Sequence, residues 1–228
     1  VVAAVVFFVV YSVEAAPTVQ EIVSLARQQL SLPTEVSQGE MTVHRGETVT
    51  RACSFVMGRL WDEAAQTEAV RIDFKTAINS VGDSSLYSDQ RYLLKRTAQA
   101  AATQWLYLPA LRRVRIVPFQ PDDPLLQSHM LFYDLTPILD FEDYRFRLLD
   151  ADEQAPVIEG TPVDATRPTP YQSIIFSLQK RGATYIVTTT HAVKNGKEKT
   201  ARFSAFREIA PGYFRPGRVE ISEVDGRT

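Results

Sequence analysis

The sequence has one cysteine, Cys53, so it cannot form an intramolecular disulfide. Its three histidines, His44, His129 and His191, lie too far apart for the short ligand spacings of a metal site. There is no Gly-x-Ser-x-Gly elbow and no glycine-rich phosphate loop. A formal charge of −2, from 25 basic and 27 acidic residues, gives the whole chain no general attraction to nucleic acid or to an anionic surface. Internal repeats and low-complexity tracts are missing. So is any apolar run of the roughly 20 residues that a membrane-spanning helix needs. What remains is 228 residues, 45% hydrophobic and 23% charged, enough for one globular domain with a sizeable core.

The longest uncharged stretch, Val1 to Val13, has the length of a signal-peptide apolar region. Val13-Glu14-Ala15 or Glu14-Ala15-Ala16 offers a small-residue cleavage site. Residues 1–16 are therefore expected to be part of a signal peptide that begins partway through. Residues 17–228 are expected to form one domain, soluble and exported. No cysteine follows the cleavage site, so lipid modification there is not expected. Asp225-Gly226 reads as the start of another turn, which leads us to expect that the domain continues beyond Thr228.

Thr18 to Leu30 reads as a helix. Val19, Ile22, Val23, Ala26 and Leu30 recur on one face, and Thr18 with Glu21 has the spacing of a capping box. Pro33 prevents continuation. From Glu40 onward the period changes to two. Met41 and Val43 share a face; Val49, Cys53, Phe55 and Met57 share another; Val70, Ile72 and Phe74 alternate with Arg71, Asp73 and Lys75. Trp105 to Pro118 reads as a hairpin interrupted by Pro109. Its first half is apolar on both faces, which predicts cover on both sides, by a helix or around a cavity. Residues 118–128 and 151–170 are proline-rich loops, the second with room for a short strand. Asn195-Gly196 is the strongest hairpin turn. The count is about eleven strands, mainly antiparallel, with one N-terminal helix. A sheet of that size must curl or pack on itself to protect its edges, and wrapping around the helix is the economical way.

No catalytic constellation stands out. Cys53 alternates with Phe55 and Met57 and reads as a small buried hydrophobe. Asp140, Glu142 and Asp143, like Asp122-Asp123, sit beside loops where carboxylates are solvated. Each histidine suits a surface or hydrogen-bonded structural role. Arg112, Arg113 and Arg115 form the tight basic group, suited either to a solvated sheet face or to an anionic head group or acidic partner at a cavity mouth. Trp105, Tyr107, Phe55, Met57, Ile72 and Phe74 are the candidates for the concave side of a curled sheet. An unfilled interior of that kind would take an acyl chain, each buried CH₂ contributing about 0.8 kcal/mol.

The segment WLYLPALRRVR (105–115), followed by SHMLFYDL (128–135), resembles the signature of the outer-membrane lipoprotein-sorting branch of the LolA-like family, with His129 and Met130 where that branch has Asp-Phe. Downstream, FEDYRFRLLD (141–150) and the ordered Phe206-Arg207-Glu208 and Phe214-Arg215-Pro216 steps are similar to the same family. The resemblance covers roughly residues 65–228. It implies a mainly β fold with few helices, a half-open antiparallel barrel around N-terminal and lid helices over a hydrophobic cavity. It implies a periplasmic, non-catalytic carrier of lipid or acylated lipoprotein, without cofactor or metal, monomeric, that works beside an RND-type inner-membrane transporter. The arginine that controls lid closure in the best-known carriers has no matching motif here. Two further readings stand beside the carrier. One is an interaction module with a filled core that docks on an RND-type lipid exporter or envelope complex. The other, weaker for want of a nucleophile–base pair, is an envelope hydrolase. On the carrier reading, a charge at Trp105 is expected to abolish lipid binding.

Overall fold

Thr18 starts the N-terminal helix as the spacing predicts. Its hydroxyl accepts from the Glu21 N–H at 3.3 Å, and the Glu21 carboxylate accepts the Thr18 N–H at 2.7 Å. Helix α1 spans Val19–Gln28. Its buried side chains, Ile22 and Ala26, are one turn apart on one face. Thr18→Ala is expected to cost about 1 kcal/mol, read as a lower urea midpoint with an unchanged slope.

The computed structural model describes residues 16–225 except 30, 46, 66, 80–87, 98–99, 119, 121–129, 132–133, 135–142, 164–168 and 195. The signal-peptide reading of residues 1–15, the carboxylates Asp140 and Glu142, His129 and the Asp122-Asp123 turn therefore lie outside the described residues.

Two six-stranded antiparallel sheets follow α1. The first runs in chain order: β1 (Thr34–Arg45), β2 (Thr48–Asp62), β3 (Thr67–Asn79), β4 (Arg91–Thr97), β5 (Ala100–Leu108) and β6 (Arg113–Pro118). A 3-10 turn, Pro109–Leu111, joins β5 to β6, and Arg112 closes it in the left-handed region at φ 47°. The second sheet has the order β14-β11-β10-β9-β8-β7. Its strands are β7 (Tyr144–Asp150), β8 (Val157–Pro162), β9 (Ser173–Arg181), β10 (Thr184–Lys194), β11 (Lys197–Ser204) and β14 (Arg218–Asp225). A small hairpin, β12 (Arg207–Ala210) with β13 (Tyr213–Arg215), lies between β11 and β14 in the chain. No described helix is long and apolar enough to cross a membrane.

The half-open antiparallel barrel around an N-terminal helix is thus the architecture present. The described strands number fourteen, against an expected eleven. The added ones are β8, in the 151–170 loop that had room for a short strand, β12, and the division of the last run into β13 and β14. That division has a steric cause at Pro216-Gly217. Gly217 donates to the Ser204 and Ala205 carbonyls at 3.0 and 3.1 Å, and a Cβ there would stand 2.8 Å from the Ala205 oxygen. Here the chain packs against the Ser204-Ala205 backbone as it passes from pairing with β12 to pairing with β11. At the β10–β11 hairpin Gly196 takes φ 75°, as its turn requires.

The core is in two parts. One joins α1 to the second sheet through Ile22, Ala26, Ile174, Phe176, Tyr185 and Ala201. Thr184 Oγ1 donates to the Leu25 carbonyl at 2.9 Å and fixes the helix on β10. The other lies on the first sheet: Cys53, Val70, Ile72, Phe74 and Leu94, with Phe55, Met57 and Tyr92 packed around them. Cys53 is 5% exposed and packs as the hydrophobe its alternation predicts.

Candidate functional site

The two parts of the core do not merge. Between them lies a cavity of about 730 Å³, within the usual range for small-molecule sites. Phe55, Met57, Ile72 and Phe74 line it from the first sheet, and Val187 and Phe203 from the second. Period-2 alternation turns these side chains inward. In the β2–β3 register Phe55 faces Phe74 and Met57 faces Ile72. Edge-to-face contacts hold the aromatic wall: Phe55–Phe74 centroids are 6.4 Å apart, and Phe74–Tyr92 centroids 5.8 Å. The Phe55 ring lies over Gly39, where an added Cβ would come within 2.9 Å of its Cζ. Glycine at 39 therefore leaves the ring flat against β1 and keeps the cavity open.

The mouth lies between the edge strands β1 and β14. Residues of both line the cavity, and neither strand pairs beyond its own sheet among the described residues. A polar clasp crosses this side. Arg215 Nε donates to Glu35 Oε1 and Oε2 at 3.0 and 2.8 Å, and its Nη1 donates to the Gln29 carbonyl at 3.0 Å. Gln29 Oε1 accepts the Phe214 N–H at 3.1 Å. The clasp joins β13, β1 and the end of α1.

Two buried ionic groups stand in or behind the wall. Asp134, which lines the cavity, accepts from Tyr171 O–H and from the Leu131 N–H, each at 2.6 Å, and pairs with Lys199. Burial pulls the Lys199 ammonium below the ordinary lysine value, and Asp134 opposes that pull. On the first sheet Glu68, 3% exposed, accepts Arg59 Nε at 2.7 Å and Arg96 Nε at 3.2 Å. Arg59 also lines the cavity. Buried charges need such partners, because an isolated one loses its hydration uncompensated.

Phe55, Met57, Ile72 and Phe74 are therefore gathered on one wall, but Trp105 and Tyr107 are not. Trp105 pairs with Leu93 and Ile116, Tyr107 with Arg91 and Val114, and all four partners are exposed. The inward face of β5 belongs instead to Gln104, which pairs with buried Leu94. Both aromatic residues point to the outer face, half-buried, with the Arg91 guanidinium 5.3 Å from the Tyr107 ring centre. Among the described residues no element covers the outer face of this strand, in place of the expected cover on both sides, and Trp105 is not among the residues that line the cavity.

Arg112, Arg113 and Arg115 are exposed, yet they do not stand at the cavity mouth. They lie on and beside β6, the edge of the first sheet opposite β1. His44 and His191 are exposed and hydrogen-bonded to Thr42 and Thr200 at 3.1 and 3.0 Å. Sequence reasoning missed Asp134, Lys199, Glu68, Glu35 and Arg215. For Asp134 a signal existed, since it lies within the quoted SHMLFYDL segment. Glu68 shares the parity of Val70, Ile72 and Phe74, and Lys199 that of Ala201 and Phe203, so alternation alone sets both on the inner face; only their charge argues for solvent.

Comparison with known proteins bears on the fold. A domain described as an outer membrane lipoprotein-sorting protein, from Vibrio parahaemolyticus, superposes with a TM-score of 0.70 at 19% identity, covering 90% of this chain and 86% of that one. A DUF1329 family protein from Desulfovibrio piger gives 0.69 at 19% identity, covering 91% of each chain. A LolA superfamily protein from Nitrosomonas europaea gives 0.57 at 17% identity, covering 91% of this chain and 86% of that one. A search of curated proteins returns no match. A family model described as "Uncharacterized protein" matches residues 84–227, more than half of the chain. The chain belongs to that family, and its two curled antiparallel sheets around an N-terminal helix give it the LolA-like fold.

Proposed function

We propose that this protein is a non-catalytic binding protein or carrier of the periplasm that holds the acyl chains of a lipid or acylated lipoprotein in the cavity between its sheets. The observation that carries this reading is the cavity of about 730 Å³ walled by Phe55, Met57, Ile72, Phe74, Val187 and Phe203. An interaction module with a solid core needs no such space. Apolar side chains face each other across the cavity, polar ones such as Glu40, Arg218 and Glu220 line it on the edge strands, and an acyl chain contributes through buried CH₂ groups without needing directional contacts. The structural neighbour named for lipoprotein sorting supports the same reading. On it, delivery or reception of cargo involves an RND-type inner-membrane transporter, and the carrier works as a monomer.

Native mass spectrometry of the protein from its own cell envelope, with lipid extraction, tests this directly. A stoichiometric lipid or acyl-peptide adduct is expected. A bare protein that also fails to take up a fluorescent fatty acid defeats the proposal. Gly39→Leu is expected to press the Phe55 ring into the cavity and weaken the fatty-acid probe at least tenfold. Trp105→Glu, on the outer face, is expected to leave that affinity within about twofold. The reverse ranking would relocate the site.

A further inference from the structure

The outer face of the first sheet ends in an apolar patch that no described element covers. Leu93, Val114 and Ile116 are 39%, 61% and 71% exposed, with the half-buried Trp105 and Tyr107 between them. The register makes them neighbours, Leu93 beside Trp105 beside Ile116, and Tyr107 beside Val114. Arg71, Arg91 and Lys95 stand exposed on the same face of β3 and β4, and Arg112, Arg113 and Arg115 run along the β6 edge. The acidic groups near them are Asp73, paired with Arg71 at 2.8 Å, and Asp89 at the start of β4. Among the described residues this face thus sets four cations, Arg71, Lys75, Arg91 and Lys95, against Asp73 and Asp89, with Arg113 and Arg115 at its β6 edge turned to the opposite face.

We infer that this face docks the protein reversibly on an anionic phospholipid surface. The chemistry suits a bilayer interface on three counts. Trp and Tyr rings combine an apolar body with a polar edge, and long Arg and Lys side chains carry their charge to the phosphates while their stems stay apolar. β6 alternates Val114 and Ile116 with Arg113 and Arg115 and is exposed on both faces. Tilted onto its β6 edge at a membrane, the sheet would set Val114 and Ile116 at the acyl boundary on one side of that edge and Arg113 and Arg115 among the head groups on the other. Among the described residues β6 also has one unpaired edge, whose backbone N–H and C=O groups need water or phosphate. Docking is therefore shallow, and reversible in the manner of peripheral proteins. An interface with another protein would instead be depleted in lysine and in unpaired charge at its centre.

The test is sedimentation of the full chain with vesicles of phosphatidylcholine alone or with about three-tenths phosphatidylglycerol. Binding is expected to be at least tenfold stronger to the anionic vesicles. It should fall at least tenfold between about 50 mM and about 500 mM salt. The V114D/I116D pair, at exposed positions that should not disturb folding, is expected to lose binding at least tenfold, and R113Q/R115Q severalfold. In a W61F background, bromine-labelled acyl chains should quench Trp105 emission. Equal binding to neutral vesicles, or none to either, overturns the inference. So does binding undiminished in V114D/I116D, which would assign the attachment to the apolar run at residues 1–13. Capture of polyglutamate by a protein inert to vesicles overturns it in favour of an acidic protein partner. The fatty-acid uptake of the interior is a separate readout, so failure here leaves the carrier reading intact.

Discussion

Replacing Asp134 with leucine is expected to destabilise the fold by about 3–5 kcal/mol, a large share of the 5–15 kcal/mol typical of a domain. Asp134 is 9% exposed and Lys199 5%. Without the carboxylate, the ammonium keeps its burial and loses its partner, while Tyr171 O–H and the Leu131 N–H lose their acceptor. The sign of the pH dependence follows from the same contacts. Burial already lowers Lys199 below 10.5, and Asp134 is the main group that resists this, so its removal lowers Lys199 further. Between the folded value and 10.5 the unfolded chain then binds more protons than the folded one, and stability rises with pH. The deficit of Asp134→Leu should shrink between pH 7 and about pH 9.5. Urea midpoints at the two pH values check it. A deficit independent of pH would mean that Lys199 is not the stranded group. Adding Lys199→Met should recover most of the loss, because an apolar pair replaces a buried ionic one at little net cost.

Glu68→Leu is expected to have a comparable effect, about 3–5 kcal/mol, for a different reason. Glu68 is shared by two guanidinium groups, Arg59 on the neighbouring strand β2 and Arg96 on β4. Its loss leaves two like charges on one inner face without the counter-charge that holds them together. The milder Glu68→Gln keeps the volume and should fall between wild type and leucine in a urea titration. Because Arg59 lines the cavity, the variant also reads on function. Hexadecanoic acid should gain affinity relative to hexadecanol, since a less compensated guanidinium favours a carboxylate. An unchanged ratio would place Arg59 out of reach of bound ligand.

Local features of this protein were legible in its sequence because their causes are local. The Thr18–Glu21 pair capped the helix it announced, since both partners sit within one turn. Val70, Ile72 and Phe74 came out buried because only one face of that stretch is apolar, so only one face can be inside. The Trp105 strand marks where this reasoning stops. Alternation places Trp105 and Tyr107 together, but Leu106 and Leu108 make the opposite face equally apolar, and nothing within the strand says which face is inside. Register with β4 decided it, by setting Gln104 against buried Leu94 and Trp105 against exposed Leu93. The same holds for the site's charges. Lys199 and Asp134 are 65 residues apart, and Arg215 and Glu35 are 180 apart. In sequence nothing ties either residue of a pair to the other. Only the closure of the two sheets brings them together, in places where burial makes a partner obligatory. The sequence by itself determined the helix, the strands and the apolar character of the interior. Which face of each strand is inside, where the cavity opens and which charges are buried were decided by the tertiary structure, because each depends on pairing between distant parts of the chain.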